Sequence, residues 1–313
     1  MPSGLHIGID ENGLGPRLGP LIVTSVVARV RPGAEAILTE KPQGGLADRL
    51  GDSKVMVAHG DVALGEAWAQ AIAHRMKQEA ECPDDLVNAI ALQTRTDLRA
   101  SCPAHVREQC WNAEGEAFEA KGRQLRAVGS DLDDLAARGV DVIEARSSIV
   151  CTRRLNDERA AGRSRFDVDL HAMERMILYY RERFGEDLDV VCGKVGGYAR
   201  YPDAFGPLAG RMHAVIEEGA ARSAYRLPGL GTIAFVRDAD AGHLLVSMAS
   251  MVGKWLREVL MARIVRFYAG GAGVPESASG YHDPVTEKFV AATALIREKR
   301  RIPETCFARA EKS

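Results

Sequence analysis

The chain's apolar and polar positions predict alternating strands and helices. The apolar run LHIGID (5–10) predicts a first strand, and PLIVTSVVARV (20–30), rich in β-branched residues, predicts a second. Only NGLGPRLG separates them, which favours an antiparallel pair. GDSKVM (51–56) reads as a loop entering a helix, and GEAWAQAIAHRMKQEA (65–80) has helical spacing. VDVIEARSSIV (140–150) predicts a strand. DLHAMERMILYYRERF (169–184) predicts an amphipathic helix with Leu170, Met173, Ile177, Tyr180 and Phe184 along one stripe. LDVVCGKVGG (188–197) predicts a short buried strand ending in a glycine loop. GTIAFVRDADAG (231–242) predicts a strand that runs into acids. Residues 243–271 predict a long helix stopped by glycines.

Strands followed by helices, with one early hairpin, indicate an α/β fold with a mixed sheet. Residues 81–143 are read as an insertion or subdomain within a single domain spanning 1–313. No internal repeat or low-complexity tract is present in the sequence.

Composition narrows the function classes. The 313 residues are 46% hydrophobic, enough for a substantial core. No leader pattern opens the chain and no apolar run is long enough for a membrane span, so a cytoplasmic protein with six reduced cysteines is expected. A net charge of −2 argues against a non-specific nucleic-acid coat, but not against an enzyme with a local basic patch. Arginines are dense in CTRRLNDERAAGRSR (151–165) and REKRRIPETCFAR (297–309), runs that by themselves read as solvated faces.

Acids close two of the predicted strands, Asp10 and Glu11 in the first and Asp238 and Asp240 in the last. Carboxylates gathered at strand ends suit Mg²⁺ or Mn²⁺, hard cations that take oxygen ligands. A bare Asp-Glu pair would be read as a turn cap; the longer pattern around it decides otherwise.

GIDENGLGPRLGP (8–20) resembles the opening of the ribonuclease HII family, G-I-D-E-x-G-x-G-P followed by G-P. Three further segments resemble family elements in the same order: GDSK (51–54), DADAGHLLVSMASMVGKWLRE (238–258) and SGYHDPVTEKF (279–289). IPETCFAR (302–309) is a weaker echo of the closing segment. The resemblance implies a ribonuclease H-like fold, a central mixed sheet flanked by helices. It also implies cleavage of RNA in RNA/DNA hybrids or at RNA–DNA junctions, with Mg²⁺ or Mn²⁺ held by four carboxylates. Carried onto this chain, Asp10, Glu11 and Asp240 are the catalytic and metal-binding acids. Gly13, Leu14, Gly15, Ser53, Lys54 and Tyr281 are the substrate-binding residues, with Tyr281 stacking on the sugar at the junction. Asp238, two residues before Asp240, would share its face if both stood in a strand; it is read as a surface acid.

Two departures stand out. Leu14 replaces the arginine common in the family's loop. The third carboxylate, expected at the end of LDVVCGKVGG, falls on Cys192 or Gly193. Asp189 is the nearest acid, but at ~3.3 Å per residue it lies ~13 Å from position 193. Two readings follow, an active divergent endonuclease or a weakened homologue that binds nucleic acid. Elsewhere, Cys102, His105 and Cys110 lack the paired spacing of a structural zinc site and read as free thiols and a histidine. His243 and His282 are near the proposed site without an assigned role. The loop GKVGGYARY lacks the spacing of a phosphate-binding loop, so no nucleotide cofactor is expected.

Overall fold

The expected hairpin is present. β1 (Gly4–Asn12) and β2 (Leu21–Val30) pair antiparallel, from Gly4 opposite Val30 to Asn12 opposite Ile22. The computed structural model describes residues 4–51, 56, 62–196 and 198–310. Further strands are β3 (Val140–Val150), β4 (Leu188–Gly193), β5 (Ala214–Glu218), β6 (Arg222–Leu227) and β7 (Gly231–Val236). Among the described residues they form one seven-stranded sheet in the order β3-β2-β1-β4-β7-β6-β5. β4 runs parallel to β1, and β7 runs parallel to β4. The carboxyl ends of β1, β4 and β7 therefore open on one edge, the edge where ligand sites collect in open α/β sheets. The α/β architecture implied by the resemblance, a mixed sheet flanked by helices, is observed.

Both faces of the central strands β1, β2 and β4 are covered, so these strands read as near-continuous apolar runs. Leu5, Ile7 and Ile9 of β1 pack with Leu170, Met173, Ile177 and Tyr180 of the Arg165–Phe184 helix. That helix begins four residues earlier than the sequence predicts. Ser164 accepts a bond from the Asp167 amide and the Asp167 carboxylate accepts one from the Ser164 amide, a reciprocal cap that fixes the start.

The opposite face carries the long Leu244–Phe267 helix, with Met248, Met251, Val252 and Trp255 in one core with Trp68 of the Ala63–Arg75 helix. Residues 81–143 join this same core through Leu86, Val87 and Ile90 of the Pro83–Ile90 helix and Val128, Leu132 and Leu135 of the Gly122–Arg138 helix. Gly8 lets the long helix lie almost on the β1 backbone, because a Cβ there would come within 2.3 Å of the Leu245 carbonyl carbon. This close approach aims one side of the long helix at the acidic end of β1.

One strand expectation changes. β7 stops at Val236; Asp238 has a left-handed backbone (φ 55°) and caps the one-turn Ala239–Gly242 helix. Asp238 and Asp240 therefore do not share a strand face. As expected of a short strand that gives way to a loop, β4 ends at Gly193, and the Lys194 amide bonds the Val236 carbonyl at 2.9 Å.

Candidate nuclease site

Asp10, Glu11 and Asp240 line one open cavity of about 610 Å³ at the carboxyl edge of the sheet. Gly13, Leu14, Gly15 and Tyr281 line it too, so seven of the nine residues expected at the site meet there. Ser53 and Lys54 lie outside the described residues. Asp10 is 8% exposed and hydrogen bonds Ser250 of the long helix. Burial, then the neighbouring Glu11 and Asp240 carboxylates, hold its carboxyl well above the usual range. Three like charges facing one space is an arrangement that a cation relieves.

The register of the missing acid is visible in the geometry. Ile9 pairs with Cys192, which puts Gly193 level with Asp10. A Cβ on Gly193 would stand 2.8 Å from Asp10 Oδ1 and 3.4 Å from Glu11 Oε2. Cys192 is wholly buried in the core on the side of the Arg165–Phe184 helix. Gly193, not Cys192, is therefore the strand-end position beside the acids, and it supplies no oxygen. Asp189 is at the far end of β4, 3.7 Å from His6.

The donor chemistry, three carboxylates from two elements, fits a hard divalent cation. Among the described residues, no group of three or more acids, histidines or cysteines is already arranged to hold a metal ion.

Cations rim the acids. Lys194, Arg237, Lys254 and Arg257 line the same cavity, with Glu258 beside Arg257. Lys194 Nζ donates to the Gly219 carbonyl at 2.6 Å and to Ser223 Oγ at 3.3 Å. Burial lowers its pKa. Arg257, almost fully buried, donates to Glu258 Oε1 at 2.9 Å and to the Ser279 carbonyl at 2.8 Å. Its guanidinium lies 4.8 Å from the centre of the Tyr281 ring, which is 45% exposed. Gly13 has φ 83°, and a Cβ there would meet Arg257 Nε at 2.6 Å, so only glycine fits this turn.

Sequence reasoning missed several of these groups. Lys254 and Arg257 sat inside a quoted motif as pattern letters, and only the long helix's close seating turns them toward the acids. Arg309 was marked only by arginine density and as the last residue of the weaker echo IPETCFAR, neither of which gave it a role. It is buried, and donates to the Gly13 carbonyl at 2.6 Å and twice to the Gly19 carbonyl, at 3.0 and 2.7 Å. It thus clamps both ends of the loop. Asp169 is wholly buried on the Arg165–Phe184 helix, and neither carboxylate oxygen has a hydrogen-bond partner among the described residues. Burial, with a contribution from Asp10, pushes its carboxyl well above the usual range.

His243 does not line the cavity; its ring is buried and its pKa is pushed down to about 4. His282 lines a second cavity on the other side of the Leu14–Gly15 turn. Cys102 and Cys110 are free thiols packed against an apolar cluster with Val106, Tyr268 and Phe307, and burial raises the pKa of both.

The class defined by fold and site is an α/β protein with an acidic strand-end cavity rimmed by cations. No family model matches the chain, and no curated protein matches it. Among solved structures it is similar to ribonucleases of types HII and HIII. Bst ribonuclease HIII in complex with Mn²⁺ shares 12% identity over 100% of this chain and 68% of that one, with a TM-score of 0.45. The ribonuclease HII of Archaeoglobus fulgidus, in its complex with PCNA, shares 15% over 99% and 98%, with a TM-score of 0.42. Ribonuclease H2 from Pyrococcus horikoshii shares 13% over 97% and 92%, with a TM-score of 0.43. These are loose superpositions, and the cavity's own geometry is what bears on function. No helix among the described residues is long and apolar enough to cross a membrane.

Proposed function

We propose that this chain is a divergent ribonuclease HII-like endonuclease that hydrolyses phosphodiesters of RNA in RNA/DNA hybrids or at RNA–DNA junctions. One observation carries the reading. Asp10 and Glu11, about 230 residues from Asp240 in the chain, line the same cavity as Asp240 beneath a rim of four cations. Asp10, Glu11 and Asp240 would hold Mg²⁺ or Mn²⁺. Such an ion supplies an activated water and neutralises charge developing on the phosphoryl oxygens.

The chain's own residues do the rest. Lys254 and Arg257 add positive charge beside the phosphate. Gly15 of the Gly13–Gly15 turn is exposed with open space where a Cβ would stand, so a nucleic-acid strand can approach its backbone, whose groups can bond a ribose 2′-OH. Tyr281 presents an exposed ring for stacking on a sugar or base.

Gly193 favours a second reading, a homologue with weakened catalysis that retains nucleic-acid binding, because the strand-end oxygen beside Asp10 is absent. Titrating Mg²⁺ and Mn²⁺ into cleavage assays on labelled hybrid, junction and plain RNA separates the two. The nuclease reading expects metal-dependent cuts in hybrid or junction that Asp10→Asn and Asp240→Asn abolish. Binding without cleavage at any metal concentration supports the second.

A further inference from the structure

The two arginine-dense runs of the sequence meet in space. Asn156 Nδ2 donates to the Thr305 and Ala308 carbonyls, both at 2.9 Å, and its Oδ1 accepts from the Ala310 amide at 2.8 Å. Arg165 donates to the Ala310 carbonyl at 3.0 Å. This seam walls a cavity of about 1080 Å³ lined by Arg17, Arg159, Arg163, Arg165, Arg309 and His282, with no acid among its described lining residues. It shares Leu14 and Gly15 with the acidic cavity, so one turn of backbone divides the two.

Neighbouring carboxylates neutralise only part of this charge. Glu287 holds Arg17 at 2.7 Å, and Glu158 pairs with Arg163. Asp167 accepts from the Tyr198 hydroxyl and the Ser164 amide and does not line the cavity. No described ion pair engages Arg165 or Arg309, whose described bonds run to carbonyl oxygens. An anion would relieve the crowding of these guanidinia. Burial, then Arg159, depresses the pKa of Arg165; burial, then Arg257 and Arg165, brings that of Arg309 to about 9.

We propose that this arginine cavity seats consecutive backbone phosphates of the nucleic-acid strand that passes through the acidic cavity. A polyanion is favoured over a single small anion, because cations stand on both sides of the Leu14–Gly15 turn, Arg17, Arg165 and Arg309 on one and Lys254 and Arg257 among the acids on the other. The proposal rests on the nucleic-acid reading above and assigns the path of the strand beyond the cutting point.

The test is binding in EDTA, where cleavage plays no part. Wild type and the triple variant Arg159→Gln, Arg163→Gln and Arg165→Gln are titrated with a labelled RNA/DNA hybrid over a range of salt. Loss of three contacts should weaken binding at least tenfold at low salt. It should also shrink the log–log salt slope by about 0.9 per contact. A scan with single neutral methylphosphonates should find two or three adjacent phosphates that matter to wild type and not to the variant. Unchanged affinity, slope and scan in a folded triple variant would overturn the proposal. If the triple variant does not fold, Arg163→Glu, at an exposed position, carries the same comparison. Failure of the nuclease reading would look different, with no cleavage in any metal but a salt slope that still depends on these arginines.

Discussion

Gly193 and Asp10 face each other across the parallel pair of β1 and β4, so closely that a single carbon added to Gly193 would lie 2.8 Å from Asp10 Oδ1. The atom in the way is the far end of a side chain, which can rotate. Gly193→Asp should therefore be accommodated and should raise Mg²⁺ affinity about tenfold, ~1.4 kcal/mol, read by calorimetry and by the metal dependence of cleavage. Without metal, the added charge should lower the melting temperature.

Cys192→Asp is the matched contrast. It would bury a carboxylate in the apolar core under the sheet. The expected outcome is a loss of ~3 kcal/mol or more in denaturant unfolding with no gain in metal affinity. A gain from Cys192→Asp alone would move the strand register by one residue.

Asp169 gives a pH signature. Its folded carboxyl lies well above the ordinary value, because burial disfavours the charge and Asp10 adds repulsion. A raised acid stabilises the fold fully below the ordinary carboxyl value, and that contribution is lost as pH rises toward the raised one. Asp169→Asn removes the penalty of ionisation. It should stabilise the metal-free protein by ~1–3 kcal/mol near neutral pH and give no gain near pH 4. Thermal melts of both proteins across that window check it.

Tyr281 separates stacking from hydroxyl chemistry. Its ring is exposed on one side and covered by Arg257 on the other. Tyr281→Ala should weaken hybrid or junction binding by ~1–3 kcal/mol, while Tyr281→Phe should stay close to wild type. Equal losses in both variants would point to the hydroxyl instead.

The early hairpin, the amphipathic Arg165–Phe184 helix and the long helix were legible in the sequence as apolar runs or stripes. β5 and β6 were not. All five positions of β5 are exposed, so no alternation marks it, and the strand exists through its pairing with β6. The Asp238–Asp240 segment was misread because acids two apart suggest a strand, whereas a left-handed residue at Asp238 turns the chain into a helix. Asp10, Glu11 and Asp240 were readable as pattern. The choice between Cys192 and Gly193 was not, since it depends on the pairing of β4 with β1. The roles of Arg309 and Asp169 depend wholly on tertiary contacts.

The clamp on the site loop also has an order in time. Residues 13–19 are synthesised about 290 residues before Arg309, yet Arg309 holds Gly13 and Gly19, and the Arg309 amide bonds the Arg17 carbonyl at 2.9 Å. A growing chain thus carries Asp10 and Glu11 long before the frame that shapes their neighbouring loop exists. Assembly of the site is deferred until residue 309 has left the ribosome, and a nascent chain shorter than that presents the acids without the clamped turn beside them.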